Sequence, residues 1–160
     1  TTIIIIKIME PTVSDEKYAI TALREARKSA LCMRHGCVAV VSGKIVARGH
    51  NHYRTYSNDG LLDTCFSCHA EIDVLRKCLK QEIKKKITMY IVRLGNDDRF
   101  ANAAPCKHCL DSMKMFNVKN IVYSNIDGDL VKMKINNFET DFETSGHVAI
   151  RENRIICLAS

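Results

Sequence analysis

Apolar residues recur every four positions near the start of the chain and predict its first helix. The stripe lies between Asp15 and about Leu31, with Ser14 before it as a favoured N-cap residue. Its members are Tyr18, Ala22, Ala26 and Ala30. A helix over 15–31 is therefore predicted.

Short apolar runs bounded by turn residues predict a set of strands. The run over 37–41 is followed by Ser42-Gly43-Lys44 and a second strand-like run over 44–49, a pattern typical of a hairpin. Two further strands are predicted at 87–94 and 120–124. These strands alternate with segments of helical periodicity, which indicates an α/β protein.

Helices and loops fill the remaining segments. Helical periodicity predicts a second helix over 69–86 and a third over 106–116, where Pro105 precedes the first turn. Polar, turn-rich composition predicts loops over 52–63 and 95–105. The first of these loops is expected to form a wall of the substrate site.

Asp127-Gly128 stands between two strand-like runs, which is a strong hairpin signal. It predicts a fifth strand over 130–135, antiparallel to the fourth. The order of elements predicts a three-layer α/β/α sandwich around a mixed five-stranded sheet. The 160 residues are expected to form one domain, with a core over about 15–135 and a tail over 136–160 of no predicted role.

Composition and charge limit the partners of the chain. The net charge of +6 favours anionic partners such as nucleotide phosphate or nucleic acid, although part of it is the Lys84–Lys86 run at a predicted helix end. No apolar run approaches 18 residues, so no membrane partner is predicted. Eight cysteines without a secretory signal pattern predict a reducing, cytoplasmic location.

Two short motifs carry the chemistry. His69-Ala70-Glu71 and Pro105-Cys106-Lys107-His108-Cys109 together provide one imidazole, two thiols and a carboxylate, and each motif opens a predicted helix. Imidazole and thiolates suit Zn²⁺ and leave a fourth position for water. Glu71 is too close in sequence to His69 to be a favoured ligand, but it is well placed to move protons.

These motifs resemble those of the cytidine and deoxycytidylate deaminase superfamily, which also contains the tRNA adenosine deaminases. By that resemblance His69, Cys106 and Cys109 bind one catalytic Zn²⁺, and Glu71 is the general acid and base. The implied reaction is hydrolytic deamination without an organic cofactor. Superfamily members commonly assemble into oligomers, so the resemblance also implies a homo-oligomer.

Five residues are expected to bind the substrate. Asn51 resembles the family residue that hydrogen-bonds the sugar, although Asn also holds turns well. The backbone of Ala104 is expected to contact the base, and Ala70 lies within the first motif. Tyr53 could stack on the base and Arg54 could bind phosphate, with solvent-exposed loop residues as the alternative.

A second, structural zinc is predicted from four further cysteines. Cys65-Phe66-Ser67-Cys68 ends immediately before His69, and Cys32 and Cys37 could complete a tetrahedral site. The alternative is that these cysteines are small buried hydrophobic residues.

The predicted substrate is a cytosine nucleoside or nucleotide, namely cytidine, deoxycytidine or dCMP. The hairpin and the long loop before Pro105 resemble the nucleoside branch of the superfamily, whereas 36–51 and the first motif resemble the deoxycytidylate branch. Arg54, Lys44 and Arg99 could each contact a phosphate. The alternatives are a tRNA adenosine deaminase, a deaminase of another base such as guanine, and a non-catalytic zinc-binding module.

Overall fold

The structure, a computed structural model, describes residues 8–63 and 67–154 of the chain. Within these residues it contains six strands, four helices and two single-turn 3-10 helices, at Asn96–Asp98 and Ile135–Asn137. None of the described helices is long and apolar enough to span a membrane. In chain order the elements are α1 (Val13–Ala26), β1 (Arg34–Val41), β2 (Lys44–His50), α2 (Ala70–Lys80), β3 (Ile87–Leu94), β4 (Phe100–Ala101), α3 (Lys107–Met115), β5 (Val118–Ser124), β6 (Leu130–Lys134) and α4 (Ser145–Arg151).

The strands form one mixed sheet in the order β2-β1-β3-β5-β6, with β4 paired to the end of β3. β1 is antiparallel to both β2 and β3, β3 and β5 are parallel, and β6 is antiparallel to β5. The predicted α/β class, the mixed sheet and the antiparallel final hairpin are confirmed. The short β4 strand was not predicted, because it lies in a segment whose polar composition indicates a loop.

Two hydrophobic cores cover the faces of the sheet. Alternate residues of a strand point to opposite faces, so β1 contributes Cys37 and Ala39 to one core and Val38 and Val40 to the other. The first core is shared with α2 and α3, and the second is shared with α1. The result is the predicted three-layer arrangement, with the two motif helices on the same face.

Small residues allow α1 to lie close to the sheet. A Cβ on Gly36 would lie 1.8 Å from the carbonyl oxygen of Ala22 and 2.6 Å from the backbone nitrogen of Ala26. Ala19 belongs to the same small, fully buried set. The alanine stripe is therefore explained by close helix–sheet packing.

The predicted bounds of α1 differ from the observed ones at both ends. The N-cap is Thr12 rather than Ser14, because Thr12 and Asp15 exchange side-chain-to-backbone hydrogen bonds in a capping box. The helix ends at Ala26 instead of Leu31, and Ala30 is exposed in the connection to β1.

The second helix is also shorter than predicted. It ends at Lys80, and Glu82 adopts a left-handed backbone conformation with φ of 53°, which no α-helix can continue through. The Lys84–Lys86 run therefore lies in the connection to β3, while Lys77 and Lys80 occupy the last turn of the helix. β3 itself has the predicted bounds.

The tail after β6 packs against β5 and the start of α3. Phe138 is buried, and its ring contacts the ring of Tyr123 on β5 at 5.4 Å between centroids. The backbone nitrogen of Lys107, at the start of α3, donates to the carbonyl oxygen of Phe142. These contacts fasten 138–142 next to the beginning of α3.

A buried carboxylate joins α1 to the sheet. Asp15 accepts hydrogen bonds from the backbone nitrogen of Thr12, the hydroxyl of Tyr90 on β3 and the ammonium of Lys132 on β6. Burial alone would raise the pKa of Asp15, but these bonds outweigh it and the net pKa is lowered. The ionised form is thus the one that the fold stabilises.

Replacing Asp15 by Ala is expected to lower the free energy of unfolding by about 2 kcal/mol, because it leaves Tyr90 and Lys132 without their partner. Urea unfolding of the two proteins at pH 7 measures the difference. Glu16→Ala is the matched control, since Glu16 is an exposed acidic residue in the same turn. A loss for Asp15→Ala no larger than for Glu16→Ala would contradict the account.

The Asp15 contribution should also depend on pH. Because the pKa of Asp15 is lowered in the folded state, its contribution is full above the unfolded value of about 3.9 and is lost as pH falls through the folded value. The difference in unfolding free energy between wild type and Asp15→Ala should therefore shrink below about pH 4. A difference that stays constant down to pH 2 would show that the carboxylate charge plays no part.

Candidate active site

The three predicted zinc ligands lie together at one edge of the sheet. His69 is the N-cap residue of α2, Cys106 is the N-cap residue of α3, and Cys109 is in the first turn of α3. Nδ1 of His69 is 3.1 Å from Sγ of Cys109 and 3.6 Å from Sγ of Cys106. One ligand atom from each residue lies within 4.8 Å of the others.

The topology of the sheet produces this convergence. α2 leads into β3 and α3 leads into β5, and these two strands are parallel neighbours. Both helices pack on the same face, so both begin at the same edge. The backbone nitrogen of Cys109 donates to Sγ of Cys106 at 3.4 Å, so the thiol caps its own helix. The positive end of each helix dipole therefore faces the cluster and favours thiolate.

The thiols and the imidazole influence one another strongly. The hydrogen bond from Cys109 is the largest effect on Cys106 and, with His69, lowers its pKa to about 3 against the opposing effect of burial. Donating that proton raises the pKa of Cys109, and burial adds to the rise. Burial lowers the pKa of His69, but Cys106 and Glu71 outweigh it and the net pKa is raised. The thiolate form of Cys106 is thus stabilised by Cys109 and His69.

Glu71 lies next to the ligand cluster and is only 5% exposed. Burial raises its pKa, and the neighbouring His69 partly offsets the rise. It lines the same cavity as His69 and Cys106. A carboxyl that lines a cavity is placed to accept a proton and to return it.

The donor set fits zinc. Two thiolates and one imidazole nitrogen are the soft and borderline ligands that Zn²⁺ prefers, and three protein ligands leave a position for water, as in catalytic zinc sites. Each ligand residue lies on the first turn or cap of a helix that is packed into the core, so the donors are held in place by the fold.

The cluster opens into a cavity of about 940 Å³. Its walls come from the α1–β1 connection, the N-termini of α2 and α3, the segment before Pro105 and the tail. A volume of this size is within the range of small-molecule sites. The lining includes Leu31, Met33, His35, Asn51, Tyr53, His69, Glu71, Arg93, Asn102, Ala104, Cys106, Thr140, Phe142, Thr144 and His147.

Residues 12–125 match the family model described as the cytidine and deoxycytidylate deaminase zinc-binding region. The chain belongs to this deaminase family. No curated protein matches it at the sequence level. The match covers both motifs and the whole sheet except β6.

Solved structures share the fold of this deaminase. The dCMP deaminase from the cyanophage S-TIM5, in apo form, is 24% identical with a TM-score of 0.56, over 74% of this chain and 86% of that chain. The same phage enzyme in complex with dCMP and dUMP gives 23% identity and a TM-score of 0.54, over 74% and 85%. Cytidine deaminase from Burkholderia pseudomallei is 18% identical with a TM-score of 0.59, over 79% and 96%.

Four of the five residues predicted to bind substrate line the cavity of the deaminase. They are Asn51, Tyr53, Ala70 and Ala104, whereas the lining does not include Arg54. Arg54 is exposed and its Nε donates to the carbonyl oxygen of Tyr56 at 2.7 Å. The loop backbone thus uses one of the five N–H donors of the guanidinium, and phosphate binding by Arg54 stays a prediction.

Asn51 holds the chain next to the cavity, which is the structural role that the sequence leaves open. Its Oδ1 accepts from the backbone nitrogen of His35 and its Nδ2 donates to the carbonyl oxygen of Met33. These bonds fix the α1–β1 connection against the end of β2. An amide nitrogen carries two protons, and the bond to Met33 uses one of them.

Several lining residues were not predicted from the sequence. The tail contributes Phe142, Thr144 and His147, and the ring of His147 contacts both His69 and His108, at centroid distances of 6.0 and 4.8 Å. The tail sequence carries no motif, so its position could not be read from the residues. Arg93 on β3 is a further addition, since a strand residue gains a functional position only through its register.

Cys68 has different neighbours from those expected for a second zinc. It groups with His52 and Asp73, with ligand atoms within 4.8 Å of one another. In the described part of the chain Cys32 and Cys37 join no such group; Cys32 is exposed, Cys37 is fully buried in β1, and Cys65 lies outside the described residues.

The side chains of His52, Cys68 and Asp73 already make hydrogen bonds within the protein. The backbone nitrogen of Arg54 donates to Nδ1 of His52, which leaves Nε2–H of His52 to donate to Asp73 at 3.2 Å. The thiol of Cys68 contacts the carbonyl oxygen of His69 at 3.4 Å. Backbone bonds in both directions also join His52 to Cys68, so this network closes the base of the 52–68 loop.

Replacing both Cys106 and Cys109 by Ser is expected to reduce the zinc content of the purified protein from about one ion per chain to near zero. Serine keeps the size of the side chain but removes the thiolate that zinc prefers. Metal content by mass spectrometry after gel filtration measures the effect. Full zinc occupancy in the double variant would contradict the assignment.

Cys32→Ser is the matched control for this measurement. Cys32 is an exposed cysteine outside the cluster, so the zinc content of this variant should equal that of the wild type. About two ions in the wild type, with one of them lost in Cys32→Ser, would instead support the predicted second zinc at the four cysteines.

Proposed function

We propose that this protein hydrolyses the exocyclic amine of a cytosine nucleoside or nucleotide, giving the uracil compound and ammonia. The observation that supports this most is the meeting of His69, Cys106 and Cys109 beside buried Glu71 in the wall of a nucleotide-sized cavity. The family match supports the class of reaction. The choice of a cytosine ring is part of the proposal.

In this proposal His69 Nδ1 and the thiolates of Cys106 and Cys109 hold one zinc ion. Zinc bound in this way lowers the pKa of a water molecule toward about 7 and so supplies a nucleophile at neutral pH. The protein contributes the ligand geometry, because the first turns of α2 and α3 hold all three donors. It also buries Cys106, Cys109 and Glu71 next to the cavity.

Glu71 is proposed to move the protons. Its carboxylate takes a proton from the attacking water and delivers it to the ring nitrogen next to the amine-bearing carbon. Water oxygen bonds to that carbon, the bond to the amine breaks, and Glu71 transfers the second proton to the leaving ammonia. The atoms balance as cytosine compound plus water giving uracil compound plus ammonia. The raised pKa of Glu71 suits both directions of transfer.

Four residues are proposed to position the substrate. Asn51 offers the second Nδ2 proton to the sugar, and Tyr53, which is 63% exposed at the cavity edge, offers an aromatic face. Ala70 and Ala104 line the cavity close to Glu71 and the ligands. Their small side chains leave room for a ring, and the backbone carbonyl oxygen of Ala104 is proposed to contact the base, since its nitrogen donates to Asn102.

The oligomeric state, the location and the zinc content predicted from the sequence are part of the same proposal. A homo-oligomer is proposed from the family resemblance, and a reducing cytoplasmic location is proposed from the cysteine content of the sequence. One zinc per chain is proposed at the catalytic cluster. The second zinc at Cys32, Cys37, Cys65 and Cys68 stays a prediction that the metal content tests.

The zinc-loaded protein should release ammonia from a cytosine compound, and Glu71→Ala should reduce the rate by at least about 100-fold because the proton carrier is lost. The measurement is ammonia release against a panel of cytosine, cytidine, deoxycytidine, CMP, dCMP, guanine and adenosine-containing tRNA. Zinc content and unfolding midpoint of Glu71→Ala are measured in parallel, so that a damaged fold is recognised.

Different results on the panel separate the alternatives. Turnover of tRNA or guanine in place of every cytosine compound would replace the proposed substrate. Absence of turnover on the whole panel, with zinc bound and the fold intact, would contradict the cytosine assignment and favour a binding module.

A further inference from the structure

Arg93 gives the active-site cavity a positive charge that does not depend on pH near neutrality. Among the described lining residues it is the only arginine or lysine, and Glu71 is the only carboxylate. The three cationic residues that the sequence suggested for phosphate binding, Arg54, Lys44 and Arg99, are not part of this lining. Lys44 is at the far end of β2 from Asn51, and Arg99 is an exposed residue outside the lining.

The register of the sheet directs Arg93 into the cavity. It is opposite His35 on β1 and Ala101 on β4. Met89 and Ile91, which precede it at alternate positions of β3, belong to the core shared with α2 and α3. Residues two apart on a strand share a face, so Arg93 lies on the face that carries the metal ligands.

The guanidinium of Arg93 has no ionic partner within residues 8–63 and 67–154. Neither Glu71 nor any other described carboxylate forms a salt bridge with the guanidinium. The hydrogen bond between Arg93 and the side chain of Ser124 comes from the backbone nitrogen of Arg93, not from its guanidinium. Several other arginines do form salt bridges with carboxylates, namely Arg27, Arg76, Arg151 and Arg154. A half-buried cation that faces a cavity without a counter-ion favours an anionic ligand.

Asn102 adds an amide to the lining of the cavity. It follows Ala101, the β4 partner of Arg93, and lines the same cavity. Its Oδ1 accepts from the backbone nitrogen of Ala104 at 3.2 Å, which fixes the amide and leaves Nδ2 as a donor. A guanidinium and an amide donor in one cavity together offer several hydrogen bonds to the oxygens of a phosphate.

We propose that Arg93 binds the 5′-phosphate of a mononucleotide, so that dCMP or CMP is preferred over the free nucleoside. This inference rests on the proposed deamination for the identity of the base. A mononucleotide is favoured over nucleic acid, because one arginine inside a cavity neutralises one phosphate, whereas nucleic-acid binding requires a row of exposed cations.

The preference for phosphate can be measured as a ratio. In the wild type kcat/KM for dCMP should exceed that for deoxycytidine, and Arg93→Gln should reduce this ratio by about tenfold to a hundredfold, as expected for loss of a charged hydrogen bond. Arg99→Gln removes the same charge outside the cavity and should leave the ratio unchanged. An equal ratio in wild type and Arg93→Gln would overturn the proposal.

Binding without turnover separates this inference from the proposed reaction. In zinc-loaded Glu71→Ala protein, calorimetry should show dUMP binding more tightly than deoxyuridine, with the difference lost in Glu71→Ala/Arg93→Gln. If that difference appears while the wild type deaminates no cytosine compound, the phosphate site stands and the reaction fails. If the wild type deaminates deoxycytidine while dUMP and deoxyuridine bind equally, the phosphate site fails. Tighter, Arg93-independent binding of a cytosine oligonucleotide would also overturn it.

Discussion

The meeting of two helix N-termini at one edge of the sheet is the constraint on which the rest of the structure depends. It follows from the parallel pairing of β3 and β5, because each strand is preceded by a helix on the same face. The N-cap residues His69 and Cys106 and the first-turn Cys109 are thereby brought within bonding distance of one ion. The ligands need no long loop to hold them, and the cores below α2 and α3 keep them in position.

The same arrangement determines the electrostatics of the cavity. Thiols and a carboxyl are buried together at the positive ends of two helix dipoles, so a thiolate is favoured at Cys106 while burial keeps the pKa of Glu71 high. Arg93 adds a fixed positive charge from the neighbouring strand. A cavity with one proton-carrying carboxyl, one metal-binding cluster and one cation is suited to a polar ring that carries an anionic group.

Local signals allowed much of this fold to be predicted, and tertiary contacts account for what was missed. The Asp127-Gly128 turn and the two motifs act within a few residues, so the final hairpin and the helix starts could be read from the sequence. The N-cap at Thr12 depends on which side chain turns back to the helix, which the sequence alone leaves open between neighbouring residues. The tail was missed because Phe138 is held by a ring on a distant strand, and Arg93 was missed because its role depends on strand register.

The central claim is that these helices build a zinc site with one open position. X-ray absorption at the zinc edge of the zinc-loaded protein tests it most directly. The account predicts two sulfur ligands at about 2.3 Å together with one nitrogen and one oxygen at about 2.0–2.1 Å. Four protein ligands with three or more sulfurs, which would leave no position for water, would contradict it.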